Sequence, residues 1–230
     1  MPRADLRQLT IGWCAAFLVS ALMFQLWPGL DLAVSGAFYR PGQGFPLAKD
    51  RALEVLRQGI WWLSNLMVAF AAIAVIAGLA GRPFLDRRRA ALILLLYLIG
   101  PVLLADAVLK RFWGRARPAS IEDFGGTQQF TLPLIPADQC QSNCSFVSGE
   151  GAAATALAIA FLLIAPAVRQ WVSPMVFRVY VAFAVAVPLT GMALRVMLGR
   201  HFLSDTVFAA LLVSGVALIL ARLLLTRPEA

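Results

Sequence analysis

The sequence predicts an all-α, polytopic membrane protein in which six transmembrane helices form one bundle. Composition is the first reason: 60% of the residues are hydrophobic and only 14% charged, with a mean hydropathy of +0.79. A soluble domain carries roughly 45–50% apolar and about 25% charged residues, so this surplus needs an apolar solvent. Length is the second reason, because a bilayer core takes about 20 mostly apolar residues per helix. Six stretches qualify, near 9–27, 60–80, 90–109, 150–168, 175–194 and 204–225. The third is the placing of charge at the ends of these stretches. Residues 1–230 then read as a single domain with its polar chemistry at one membrane face.

The first stretch follows Arg3 and Arg7 and so invites a signal-peptide reading, but its apolar run is longer than the roughly 7–15 residues of such a region. It is kept as a span. Residues 28–59 and 110–147 are long loops rich in Gly, Pro and polar residues, whereas 82–89 is short and basic and 169–174 is shorter still. With six spans, the amino terminus, 82–89, 169–174 and the carboxyl terminus share one side; the long loops and 195–203 share the other. The positive-inside rule chooses between the sides. Raw counts of Lys and Arg divide evenly. However, Lys110, Arg111, Arg115, Arg117, Arg195 and Arg200 fall in motifs that suit an anion, and Arg40, Lys49, Arg51 and Arg57 are interspersed with Asp31, Asp50 and Glu54. The dense Arg82, Arg87, Arg88 and Arg89 cluster therefore marks the cytoplasmic side, and the motifs face outward. Trp27, Trp61, Trp62 and Trp113 fit an aromatic belt at the outer interface. Cys14 lies in an apolar run and is read as inert. Cys140 and Cys144 share a polar loop, where an oxidising compartment would make them a disulfide and a reducing one would leave two thiols. The net charge of +8 lacks the basic stripe with aromatic platforms that nucleic acid requires. An anionic membrane lipid is the partner it suits.

Three segments meet the membrane on the same side by parity alone. They are Lys110-Arg-Phe-Trp-Gly-Arg-Ala-Arg117-Pro118 after span three, Ser145-Phe-Val-Ser148-Gly149-Glu150-Gly151 before span four, and Arg195-Val-Met-Leu-Gly-Arg-His201-Phe-Leu-Ser-Asp205 after span five. Lys110, Arg117 and Arg195 can neutralise a phosphoryl group, the guanidinium fork matching two oxygens at once. Ser148 adds a hydroxyl donor, and Gly149 lets backbone N–H groups approach an oxyanion at a helix start. His201 and Asp205 are spaced i, i+4, so a helix through them would let the carboxylate aim the ring. Taken singly, such residues anchor helices, cap them or meet solvent; Ser-Gly before a helix is commonly a cap. Asp106 is read as an i, i+4 partner of Lys110. No carboxylate cluster joins the single His, so no metal and no cofactor is expected.

These segments resemble the type 2 phosphatidic acid phosphatase family, the lipid phosphate phosphatases. The family pattern is Lys, six residues, Arg-Pro; then Pro-Ser-Gly-His; then Ser-Arg, five residues, His, three residues, Asp. Lys110 to Pro118 matches the first part in full, and Arg195, His201 and Asp205 match the third, with Leu194 where Ser is usual. The second matches only Ser148 and Gly149, with Val147 for Pro and Glu150 for His. The resemblance implies a metal-independent hydrolase of lipid phosphates. In it His201 forms a phosphohistidine, Asp205 supports His201, and Lys110, Arg117, Ser148, Gly149 and Arg195 hold the phosphate. Because the motif residues lie near the headgroup plane, the expected substrate is a lipid phosphate of the outer leaflet: phosphatidate, phosphatidylglycerophosphate, an isoprenyl pyrophosphate or the phosphates of lipid A. The six-span arrangement and a possible loop disulfide suit a bacterial inner membrane with the site facing the periplasm.

Glu150 is the departure. The family's His at that place protonates the leaving oxygen, and the one His of this chain is the nucleophile. Glu150 is expected to replace it as general acid if apolar surroundings keep its proton on. The alternatives are a substrate with a better leaving group, such as a pyrophosphate or a sugar 1-phosphate, a Glu150 that only binds substrate hydroxyls or amines, or an impaired enzyme. Two rival functions remain at this stage: a lipid phosphotransferase, and a non-enzymatic transporter or lipid-binding protein. Against the transporter, the ionisable residues gather at one surface and do not line a midplane route.

Overall fold

A computed structural model describes residues 3–226. In a bilayer the backbone must satisfy its own hydrogen bonds, so each long apolar run closes into a helix. In chain order these are α1 (Arg3–Leu26), a short α2 (Gly29–Gly36), α3 (Arg51–Leu79), α4 (Arg87–Phe112), α5 (Gly149–Trp171), α6 (Pro174–Met197) and α7 (Leu203–Leu224). All except α2 are long and apolar enough to cross a membrane. The six predicted spans coincide with them, the first, second and sixth running one residue past the helix end.

Two spans depart from the sequence reading. Helix α3 starts at Arg51 and not near 60, because Asp50 caps it: its Oδ1 accepts from the Ala52 and Leu53 N–H groups at 2.8 and 3.2 Å. The earlier start carries Glu54 and Arg57 onto the helix. Helix α4 is α-helical over Arg87–Tyr97, widens into π-helical turns over Leu98–Leu109 around Pro101, and tightens again at Lys110–Phe112. Pro101 has no N–H to give to the ordinary i→i−4 ladder.

Helix α5 is the axis of the bundle, and half of its apolar window is buried, against 6% for α1. Gly151, Ala152, Ala153, Ala156 and Ala160 give it a narrow surface on which neighbours approach closely. The core adds Phe24, Leu92, Leu96, Phe146, Leu157 and Phe208. Leu18, Leu22, Ile73, Leu162 and Leu189 remain exposed, as expected where lipid is the solvent.

The long loops form a roof with a core of its own, in which Phe45, Ala116, Ile121, Phe124 and Phe202 are buried together. Trp27 and Trp62 stay exposed, as a belt requires. Trp113 does not: its Nε1 donates to the Pro133 carbonyl at 2.7 Å and its ring stacks on Phe146 at 4.8 Å. It fastens the 110–147 loop to the bundle. Cys140 and Cys144 form a disulfide within that loop.

Candidate active site

The three motif segments meet beneath the roof. Helix α6 ends after Met197, and Gly199, at φ +64°, turns the chain out of it. A side chain at that position would also run into the Phe45 ring, so the site tolerates only glycine. The Arg200 and His201 N–H groups both return to the Arg195 carbonyl, at 3.0 and 3.1 Å. This closure places Arg195 and His201 side by side.

His201 is almost wholly buried. Its Nδ1 lies 2.8 Å from the Ser145 carbonyl oxygen. A carbonyl can only accept, so Nδ1 carries the proton and Nε2 is left with its lone pair. Burial lowers the pKa of the ring to about 4, helped by the charges of Arg195 and Arg117 and opposed by Asp205. At neutral pH the imidazole is therefore uncharged.

Asp205 does not hold that ring directly, contrary to the i, i+4 expectation. Helix α7 begins at Leu203, so His201 precedes it, and the Asp205 Oδ2 stands 3.8 Å from Nδ1, beyond hydrogen-bond reach. The Asp205 carboxylate instead accepts from Ser145 Oγ at 2.5 Å, the Phe202 N–H at 2.8 Å and Arg115 Nη1 at 2.5 Å. It fixes Ser145, and the Ser145 carbonyl fixes His201.

Arg115 is the second correction. Grouped by sequence with the anion-binding residues, it is fully buried beneath them. Its guanidinium bonds Asp205, Ser204 Oγ at 2.8 Å, Asp31 Oδ2 at 2.9 Å and the Thr131 carbonyl at 2.9 Å, and stacks over Phe202 at 4.4 Å. Burial pushes the Asp31 carboxyl up against the pull of Arg115. Arg111 also leaves the site, lying exposed with its guanidinium over Phe112.

Lys110, Arg117, Ser148, Gly149 and Arg195 do converge. Lys110 Nζ pairs with Asp106 Oδ1 at 2.7 Å, as its spacing predicts. Both groups crowd Gly149 so closely that a Cβ there would collide with them. Ser148 is the N-cap of α5, its Oγ accepting from the Gly151 N–H at 3.1 Å, which leaves the hydroxyl proton to donate. The first N–H groups of α5 have no partner within the helix. The buried Arg195 Nε has no partner either. Arg117 donates from Nε and Nη2 to Asn143, leaving Nη1 for a ligand. Burial and the neighbouring Arg200 lower its pKa. Uncompensated positive charge of this kind is relieved by an anion.

Glu150 lies in surroundings unlike those a general acid needs. Its Oε1 faces Arg57 Nη1 at 2.8 Å and Arg195 Nη1 at 3.3 Å, and Arg57 is itself clasped by both carboxylate oxygens of Glu54. Two guanidinium groups surround the oxygen that apolar side chains would have to enclose.

Sequence reasoning overlooked Arg57, Ser145 and Asn143 as parts of the site. The Asp50 cap could have exposed Arg57 by moving the start of α3; nothing in the sequence marks the other two.

The family model of the PAP2 superfamily matches residues 89–229. The chain belongs to the PAP2 superfamily. It is 32% identical to a lipid A 4'-phosphatase of Francisella tularensis subsp. novicida (strain U112) over 199 residues, covering 84% of this chain and 85% of the relative. It is also 32% identical to a lipid A 4'-phosphatase of Rhizobium leguminosarum over 232 residues, covering 90% and 91%. Its fold is similar to the crystal structure of a transmembrane PAP2-type phosphatidylglycerolphosphate phosphatase from Bacillus subtilis, with a TM-score of 0.60, 20% identity, and coverage of 93% and 94%. This PAP2 protein is a membrane lipid phosphatase, a phosphomonoester hydrolase acting on a lipid phosphate. Among the described residues no group of three or more His, Cys, Asp or Glu side chains could hold a metal ion.

Proposed function

We propose that the whole chain works as one transmembrane unit that removes a phosphate monoester from lipid A, or a closely similar phosphoglycolipid, through a phosphohistidine on Nε2 of His201. The observation that carries this is the His201 ring itself. Its Nδ1 is pinned to the Ser145 carbonyl, so the lone pair of Nε2 belongs to a neutral imidazole that feels the charges of Arg195 and Arg117. Lys110, Arg117, Arg195, Ser148 and the first N–H groups of α5 then hold the equatorial oxygens while Nε2 attacks in line. The leaving alkoxide departs, and water attacks the phosphohistidine in a second step to release phosphate. The lipid A relatives favour that substrate over the other lipid phosphates.

Glu150 acts here as the shared anion that fixes the forks of Arg57 and Arg195, and Asp205 acts by fixing Ser145. Two features support the compartment: the disulfide beside the site suits an oxidising one, and the Arg82–Arg89 cluster at the opposite end suits the cytoplasm. Together they support a bacterial inner membrane with the site facing the periplasm.

The test is phosphate release from lipid A bisphosphate by the purified protein in detergent, with acid-stable and acid-labile phosphoprotein separated after quenching. We expect turnover and an acid-labile phosphoprotein, both lost in His201→Ala. Full activity of that variant would refute the mechanism.

A further inference from the structure

Among the described residues Arg117 holds its place without an ion pair to an acidic side chain. All three of its hydrogen bonds end on one residue: Nε and Nη2 donate to the Asn143 carbonyl at 3.1 and 2.8 Å, and Nη2 also donates to Asn143 Oδ1 at 2.8 Å. Asn143 is exposed at the tip of a loop and is the one non-glycine residue at positive φ, +50°, among the described residues. Asn adopts this conformation more readily than other side chains do.

What keeps that tip in register is narrow. Between Ala137, whose N–H donates to the Trp113 carbonyl, and Cys144, whose N–H donates to the Lys110 carbonyl, no backbone–backbone hydrogen bond ties the loop among the described residues, and Gln139 Oε1, accepting from the Gln129 N–H at 2.9 Å, is its side-chain tie on the near side of Cys140. The Cys140–Cys144 disulfide spans that gap, with the two Cα atoms 5.6 Å apart. Cys144 is buried and is followed at once by Ser145, whose carbonyl fixes His201. One covalent link thus sits between the residue that aims Arg117 and the residue that aims the imidazole.

We propose that Asn143 is a positioning residue for Arg117, and that the Cys140–Cys144 disulfide holds Asn143 in place, so that binding of a phosphate dianion depends on the closed disulfide. This rests on the reading of Arg117 as a phosphate ligand. Opening the bond takes two electrons and two protons, which a dithiol supplies while becoming a cyclic disulfide; the products in the protein are two thiols. Beyond Gln139 the tip is then held by backbone at Cys144 alone, and Arg117 must share its binding energy with the ordering of Asn143.

The test is titration of the purified full chain with orthophosphate, oxidised and after dithiothreitol, with thiol alkylation reporting the state of the pair. Reduction should weaken orthophosphate binding about tenfold, the worth of one charge-assisted hydrogen bond. Cys140→Ser/Cys144→Ser should bind as weakly with no reductant and ignore dithiothreitol. Asn143→Gly, which keeps the positive φ and the carbonyl but loses Oδ1, should be weakened by a smaller factor. In Arg117→Ala the response to dithiothreitol should vanish, a result that a general stabilising role of the disulfide would not give. Unchanged binding after complete reduction overturns the proposal, as does an undiminished response in Arg117→Ala. Intact, redox-sensitive orthophosphate binding without turnover of lipid A would fail the substrate assignment alone and uphold the clamp.

Discussion

A neutral imidazole is a nucleophile and an imidazolium is not, so under the proposed mechanism the pH at which His201 takes a proton sets the acid limit of catalysis. Burial and the Arg195 and Arg117 charges lower its pKa from 6.5 to about 4. The sign is fixed: above that value the ring is free to attack, and below it the lone pair is lost. The kcat/KM for lipid A should therefore hold from neutrality down to about pH 5 and fall below it. A fall centred near the ordinary His value would refute this assignment. Glu150 allows an equally direct check. As the anion between Arg57 and Arg195, its replacement in Glu150→Gln should lower kcat/KM about tenfold for alkyl phosphates and lipid pyrophosphates alike. A loss confined to alkyl phosphates, whose leaving groups need the proton, would reinstate it as general acid. The residues that carry these predictions differ in how readable they were. Lys110, Arg117 and His201 follow from spacing along the chain. The partners of Glu150 do not, since Arg57 lies 93 positions away on another helix.

Secondary elements deliver these groups through their ends. Gly199 closes α6 so that His201 faces Arg195, Ser148 opens α5 onto the proposed phosphate position, and Asp205 in the first turn of α7 gathers Ser145 and Phe202. A fully buried cation beneath them, Arg115, serves two carboxylates on different elements, Asp31 of α2 and Asp205 of α7. Removing one partner of such a group leaves buried charge uncompensated, at a cost of about 3–5 kcal/mol. Arg115→Met should lower the thermal unfolding midpoint in detergent by several degrees, whereas Arg111→Met, at an exposed position, should leave it unchanged. Equal midpoints would show the network to be dispensable. In sequence the two arginines are four positions apart in one basic motif. Only the packing of Phe130 and Phe202 around one of them tells a structural cation from a surface one.

For the whole molecule, the bundle separates the Arg82–Arg89 cluster from the end that carries the proposed phosphate site. Arg88→Cys and Glu122→Cys, both at exposed positions, place a thiol at each. In intact cells a membrane-impermeant maleimide should label the Glu122 variant and reach the Arg88 variant only after lysis; the reverse pattern would invert the topology. The number of spans and the meeting of the three motifs on one face were determined by the sequence alone. Run length and parity are properties of a single line of residues, and they survive any packing of the helices. Which of the gathered charges would face a phosphate, which would be buried as struts, and that the Ser145 carbonyl and not Asp205 would hold the imidazole were decided by tertiary structure alone. A hydrogen bond depends on distances through space between segments remote in the chain, and no pattern along that chain encodes them.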